Sequence, residues 1–237
     1  MNILGLIPAR GGSKGIPNKN RKELNGKPLL QYTIEAALGS KRLSKVVFSS
    51  EDEQLMTLAS HFGAEVPFVR PPQLATDSAG SLEVVQHALQ FYAGKGTHFD
   101  AVCLLQVTYP FRTSKDIDEA LKKFIETGTD SLISVQEIPH QYNPHWAFVE
   151  KEKNMLSLAT GEKTIISRRQ DLPKAYIRDG AFYVTKAEVL LQHHSFYGNS
   201  ISYITLDPSK HVNIDTPTDW QKAEEILKNA TFGTYGK

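Results

Sequence analysis

Short apolar runs alternate with longer segments of helical periodicity along most of the chain. Ile3, Leu4, Leu6 and Ile7 form the first run, which reads as a buried strand of a parallel sheet. In Pro28–Leu38, the residues Leu29, Leu30, Tyr32, Thr33, Ile34, Ala37 and Leu38 would cover one face of a helix. KVVFSS, from Lys45 to Ser50, predicts a second strand. The following SEDEQLMTLASHFG predicts a helix capped by Ser49 or Ser50, acidic in its first turn and stopped at Gly63. EVPFV then predicts a brief strand ahead of Arg70-Pro71-Pro72, where the chain must be extended. The order β-α-β-α-β implies a parallel sheet with helices packed on it.

The alternation continues through a loop, LATDSAGS, a helix, LEVVQHALQFY, and the apolar strand FDAVCLLQ. That strand ends in VTYPFRT, whose polar residues would sit at the carboxyl end, where open α/β sheets bind ligands. Thr113 or Ser114 should cap an amphipathic helix stopped at Gly128, followed by the strand SLISVQEI. Residues 139–178 break the pattern, with alternating apolar positions and turn signals but little helical periodicity. They are expected to form an inserted antiparallel arm: an active-site flap, a dimerisation element, or both. GAFYVTK, AEVLLQHH, SISYITL and a helix from Pro217 to Lys228 complete the expected order. Residues 1–237 thus read as a single domain plus that arm, with no repeat or long linker.

Composition narrows the functional classes. A 40% hydrophobic content suffices for a core and argues against disorder. Lys and Arg total 27 against 26 Asp and Glu, a formal net charge of +1. No global field therefore recruits nucleic acid, and any anion site must be a local cluster. The single cysteine, Cys103, excludes an intrachain disulfide and a thiolate zinc cluster, and its apolar setting makes it a core thiol. The N-terminus lacks a signal-peptide layout and no apolar run approaches membrane-spanning length, so a soluble cytoplasmic protein without membrane partners is expected.

The local cluster lies directly after the first strand. Pro8 leads into a loop holding Gly11, Gly12 and Gly15 among Arg10, Ser13, Lys14 and Lys19. Small residues let backbone N–H groups converge on an anion, and the cations neutralise its charge. The loop is neither a Walker A sequence nor G-x-G-x-x-G, so ATPase and dinucleotide readings lose ground. The bland alternative is a glycine turn with solvated cations. Three cations threaded among three glycines after a buried strand favour a phosphate cradle.

IPARGGSKGIPNKN, RPPQLATDSAGS, LLQVTYPFRTSKDI, RRQDLPKAYIRDGAFYV and VNIDTPTDW, in this order, resemble the cytidylyltransferases that activate sialic acid and related nine-carbon 2-keto acids. The resemblance implies a doubly wound, Rossmann-like nucleotide-diphospho-sugar transferase sandwich with a mostly parallel central sheet, usually dimeric. It implies CTP and a sialic-acid-like acceptor as substrates, a divalent cation such as Mg2+, and pyrophosphate as product. Arg10, Lys14 and Lys19, with Gly11, Gly12 and Ser13, would face the phosphates. Asn20 would face the base, and Arg70 and Ser81 would make further nucleotide contacts.

In the same resemblance Gln106, Arg169, Gln170, Asp179, Tyr183, Phe196 and Tyr197 match the acceptor pocket, the two aromatics reaching a partner subunit. From the residues alone, Arg169 could instead pair within the arm, and Phe196 and Tyr197 could be core. VNIDTPTDW matches the metal site, where Asn213 replaces the first Asp of the common D-x-D and Asp215 is kept. Residues 213 and 215 share one side of an extended segment, and Asp215 could alternatively cap the final helix. Arg10, Lys14, Lys19 and Asp215 are the expected catalytic set.

Two departures bear on the acceptor. The family's N-G-A turn is Asp179-Gly180-Ala181, and a Lys common in sialic-acid members is absent from NPHW, where Trp146 stands. These departures point towards legionaminic, pseudaminic or another modified nonulosonic acid. The competing expectations are a Kdo- or GTP-dependent transferase of the same fold, and a catalytically dead homologue suggested by Asn213.

Overall fold

The computed structural model describes residues 1–232, with side chains described to residue 229. The elements run β1 (Ile3–Pro8), β2 (Glu23–Leu24), β3 (Lys27–Pro28), α1 (Leu29–Leu38), β4 (Lys45–Ser49), α2 (Glu53–His61), α3 (Ser81–Ala93), β5 (Ala101–Leu104), α4 (Ser114–Thr127) and β6 (Ser131–Glu137). They continue with β7 (Phe148–Glu152), β8 (Met155–Leu158), β9 (Tyr176–Lys186), α5 (Ala187–Gln192), β10 (Ile201–Thr205) and α6 (Pro217–Phe232). Contacts divide the chain into two compact units, Met1–Ser134 with Asp179–Lys237, and Val135–Arg178.

The main sheet has the order β10-β6-β9-β5-β1-β4. β1 is parallel to both β4 and β5, whereas β9 is antiparallel to β5. Alternation along β1 sends Ile3 and Ile7 to one face and Leu4 and Leu6 to the other. On the first face they meet Leu30 and Ile34 of α1, Leu55 of α2, Phe124 of α4 and Trp220 of α6. On the second they meet Val85 and Leu89 of α3 and Leu190 of α5. Both faces are dry, so β1 reads as a continuous apolar run and the sandwich is doubly wound.

Three local expectations change. EVPFV forms no strand. Glu65 makes one parallel bridge to Val47, and Pro67, having no N–H to donate, ends the pairing there. Asp52, not Ser49 or Ser50, caps α2 and accepts from Leu55 N at 2.9 Å. Ser50 instead accepts from Asp52 N and shapes the turn before it. The strand expected over FDAVCLLQ is confined to Ala101–Leu104. α4 behaves as read, with Thr113 and Asp116 forming a reciprocal capping box and Gly128 in the left-handed region.

In the second unit, β7 and β8 form an antiparallel hairpin with Asn154 at positive φ in its turn. Every residue of β7 is exposed, and Phe148, Val149, Met155 and Leu156 present apolar side chains to solvent. Trp146 Nε1 donates to the Ile166 carbonyl and His145 pairs with Glu162 at 2.9 Å, tying the hairpin to the segment after it. No helix among the described residues is long and apolar enough to cross a membrane.

Candidate active site

The first loop leaves β1 at Pro8 and is held by close backbone packing. Gly11 N donates to Glu51 Oε1 at 2.8 Å, and a Cβ there would collide with the Asp52 side chain. A Cβ on Gly15 would collide with the backbone carbonyl of Asp215, whereas one on Gly12 would meet nothing within 4 Å. Gly15 is therefore required by close approach to backbone, Gly11 is crowded by a side chain, and Gly12 leaves its space open. Gly15 brings the loop onto the segment that carries Asn213 and Asp215.

Each of the three loop cations has a carboxylate partner. Arg10 and Lys14 both pair with Asp77 at 2.7 Å, and Arg10 also donates to the Thr76 carbonyl at 3.1 Å. The hydrogen bond and charge of Lys14, with Arg10 behind them, hold the Asp77 carboxyl below the usual carboxylate range. Lys19 is buried, and its Nζ donates to Asp215 Oδ1 at 2.9 Å and to the Ile214 carbonyl at 2.6 Å. Asn20, also buried, donates to the Arg10 carbonyl at 3.0 Å.

Arg70 is no surface cation. It is 4% exposed, donates to Ser49 Oγ at 3.1 Å and the Ala9 carbonyl at 2.9 Å, and bonds the Ser49 carbonyl as well. It thereby ties the end of β1 to the end of β4. Burial pulls its guanidinium down to about 10, a shift that Glu51 opposes.

Asn213 and Asp215 share one side of their segment, as expected. Asn213 Nδ2 donates to Asp215 Oδ2 at 2.8 Å, while Asn213 Oδ1 is buried with no hydrogen-bond partner. Asp215 does not cap α6. Thr216 and Asp219 do so reciprocally, with Thr216 N to Asp219 Oδ2 at 2.7 Å and Asp219 N to Thr216 Oγ1 at 3.3 Å. The Asp215 carboxylate is thus left to the loop cation and to Asn213. Among the described residues, no group of three or more His, Cys, Asp or Glu could hold a metal.

A cleft of about 520 Å³ lies at the carboxyl ends of β1 and β5. It gathers Arg10, Ser13, Lys14, Lys19, Asn20, Arg70, Ser81, Gln106, Asn213 and Asp215. Asp179, Tyr183, Phe196 and Tyr197 do not line it. Asp179 is buried and accepts from Ser134 Oγ and from Ala181 N. Gly180, at φ 80°, turns so that a Cβ would sit 3.1 Å from Gln106 Oε1. The Tyr183 and Phe196 rings meet at a tilt with centroids 5.8 Å apart, and Phe196 and Tyr197 pack on the core cluster of the second sheet face. Arg169 and Gln170 are exposed in the second unit, where Arg168 rather than Arg169 pairs with Asp171, at 2.7 Å.

Two further residues matter that their motifs did not single out. Asp77 lies in LATDSAGS and could have been suspected as the acidic residue beside a basic loop. Arg112 lies in VTYPFRT and is almost fully buried; a cation between Phe111 and the cap Thr113 was its only signal.

The sequence profile described as cytidylyltransferase matches residues 4–236. The chain belongs to the cytidylyltransferase family. This cytidylyltransferase is 37% identical over 228 residues to the pseudaminic acid cytidylyltransferase of Campylobacter jejuni, covering 96% of this chain and 97% of that one. It is 34% identical over 230 residues to the CMP-N,N'-diacetyllegionaminic acid synthase of Legionella pneumophila, again covering 96% and 97%. Among solved structures, CMP:2-keto-3-deoxy-manno-octonic acid synthetase complexed with CTP superposes with a TM-score of 0.70 over 97% of this chain and 100% of that one. At 17% identity that likeness establishes the shared fold. The cytidylyltransferase has the nucleotidyltransferase sandwich that the resemblance of its motifs implied, built on the sheet-and-helix layering that its alternating pattern implied.

Proposed function

We propose that the cleft binds CTP and that the enzyme transfers its CMP group to the anomeric hydroxyl of a nonulosonic acid of the pseudaminic–legionaminic type, releasing pyrophosphate. The observation that carries this reading is the loop's cation set gathered at one cleft, Arg10 and Lys14 held by an exposed Asp77 that an incoming polyphosphate would displace and Lys19 held beside Asp215. A nucleoside triphosphate brings about four negative charges, which a protein of near-zero net charge must meet locally. Arg10, Lys14 and Lys19 meet them, and the carboxamide of Asn20 has both the donor and the acceptor that a cytosine edge requires. Arg70 holds the strand ends beneath the nucleotide, and Ser81 offers the first N–H of α3.

The reaction forms a bond from the acceptor oxygen to the α-phosphorus and breaks the bond to the β-phosphate oxygen. The proton leaves with solvent or a base, and pyrophosphate carries the displaced electron pair. Positioning and charge neutralisation dominate such transfers. Lys19, held by Ile214 O and Asp215, would neutralise charge on the phosphates.

The residues also fit a divalent cation. Asp215 offers a hard carboxylate, and the orphaned Oδ1 of Asn213 is an oxygen ligand awaiting a partner. Mg2+ held by these two residues would add charge neutralisation at the phosphate oxygens, with phosphates and water completing its shell.

The acceptor assignment draws support from the two relatives at 37% and 34% identity. The buried carboxylate of Asp179, where a carboxamide is common, supports an acceptor other than N-acetylneuraminate. The exposed apolar hairpin residues support the second unit as a dimerisation arm meeting a second copy, and the roles of Arg169, Gln170, Phe196 and Tyr197 stand on the resemblance. A cytoplasmic location suits an enzyme consuming CTP. Calorimetry with CTP, UTP, GTP and ATP, each with Mg2+, tests the donor: CTP should bind at least tenfold tighter, and a preference for GTP would overturn the reading.

A further inference from the structure

Arg112 follows β5 by eight residues and is 3% exposed. Its guanidinium donates to Thr33 Oγ1 at 3.1 Å, to the Tyr109 carbonyl at 2.8 Å and to the carbonyls of Gln106 and Ala181. No carboxylate lies within ion-pair distance of it among the described residues. A buried cation without such a partner is costly, and burial pulls its guanidinium down to about 10. Asp179 and Asp116 favour its charge through space, but every direct hydrogen-bond partner is a neutral oxygen.

The partners explain the placement. Gln106 lines the cleft, and Ala181 closes the turn that holds Asp179 and Gly180. Gly180 in turn faces Gln106 Oε1. Thr33, fully buried on α1, anchors the fork from below. A rigid planar fork can grip carbonyls from two segments and a hydroxyl from a third at once, which an ammonium on a flexible stem cannot.

We propose that Arg112 is a positioning residue that fixes Gln106 against the Asp179–Ala181 turn and so sets acceptor affinity and alignment, touching neither substrate. This rests on the proposed acceptor reading. Arg10, Lys14 and Lys19 share no partner with Arg112, so the donor side stays intact when the clamp is loosened.

The test measures acceptor KM and kcat together with CTP Kd for wild type, Arg112→Lys and Thr33→Val. Arg112→Lys keeps the charge and loses the fork, so acceptor KM rises at least tenfold while CTP Kd stays within threefold. Thr33→Val removes one acceptor and keeps the volume; it shifts acceptor KM two- to fivefold in the same direction, and it decides the matter if Arg112→Lys does not fold. Acceptor KM and kcat within twofold of wild type in the folded variants would overturn the inference. So would a loss of CTP affinity equal to the loss for acceptor, which marks a merely structural arginine. If wild type turns over no nonulosonate, the functional reading falls and takes this inference with it; wild-type turnover with unshifted variants removes this inference alone.

Discussion

Replacing Gly15 by alanine should disable the site by way of one methyl group. An ideal Cβ at Gly15 lies inside the 3.0 Å limit that real Cβ atoms essentially never cross, and the atom it meets is the backbone carbonyl oxygen of Asp215. A flexible side chain could swing away, but this carbonyl belongs to the segment fixed by Ile214 N to the Thr108 carbonyl at 2.8 Å and by the α6 cap. Restoring ordinary contact requires one backbone to move by on the order of 1 Å. Overpacking of this kind costs about 1–3 kcal/mol, which for a chain of this size lowers Tm by roughly 2–12 °C. The same movement separates Asp215 from Lys19, and a misplacement of about 1 Å lowers turnover on the order of a hundredfold. Gly12→Ala is the control for stability, because no protein atom lies within 4 Å of its Cβ position. Differential scanning fluorimetry on both variants and pyrophosphate release by Gly15→Ala against wild type make the comparison. A Gly15→Ala protein with wild-type Tm and turnover within threefold would refute the packing argument.

Three further outcomes follow from the same geometry. Asp77→Ala frees Arg10 and Lys14; because exposed pairs are weak, CTP should bind only a few-fold tighter at low salt, and weaker binding by calorimetry would contradict the displaceable-carboxylate account. Since the folded Asp77 carboxyl titrates low, its pairs are complete above the ordinary carboxylate range and are lost as pH falls through the lowered value, so the variant and wild type should converge in acid. Asn213→Asp supplies a second charged oxygen ligand, so the Mg2+ concentration for half-maximal activity should fall roughly tenfold; direct Mn2+ binding followed by electron paramagnetic resonance should tighten in parallel, and unchanged metal dependence would count against the paired oxygens. Cys103 is fully buried and its thiol is pushed up to about 12 by burial, so an aromatic disulfide reagent at pH 8 should titrate no thiol in the native protein and one after denaturation, whereas fast native labelling would contradict the buried placement.

The chain's apolar spacing carried most of this architecture. Ile3, Leu4, Leu6 and Ile7 had to be dry on both faces, and that requirement alone implies helices on either side of a parallel sheet. The glycine and cation pattern after β1 likewise announced an anion site, because backbone approach and charge are local properties of a loop. EVPFV misled because β-branched and apolar residues suggest a strand while Pro67 withholds the donor that pairing needs. The cap of α2 went to Asp52 because an N-cap directly precedes the first helical residue, here Glu53, and Ser49 and Ser50 lie too far upstream. Asp77 and Arg112 escaped notice for a different reason. Their roles depend in part on partners 63 or more residues distant in the chain, Lys14 for Asp77 and Thr33 and Ala181 for Arg112, and no local pattern encodes such pairings.

The central claim is the transfer of CMP from CTP to a nonulosonic acid. Incubating the enzyme with CTP, Mg2+ and pseudaminic, N,N'-diacetyllegionaminic or N-acetylneuraminic acid, with mass spectrometry of the products, tests it most directly. The account predicts one CMP-linked sugar acid and one pyrophosphate per turnover, with pseudaminic or legionaminic acid preferred over N-acetylneuraminic acid. CTP bound at the cleft but no CMP-linked product from any of the three would contradict it.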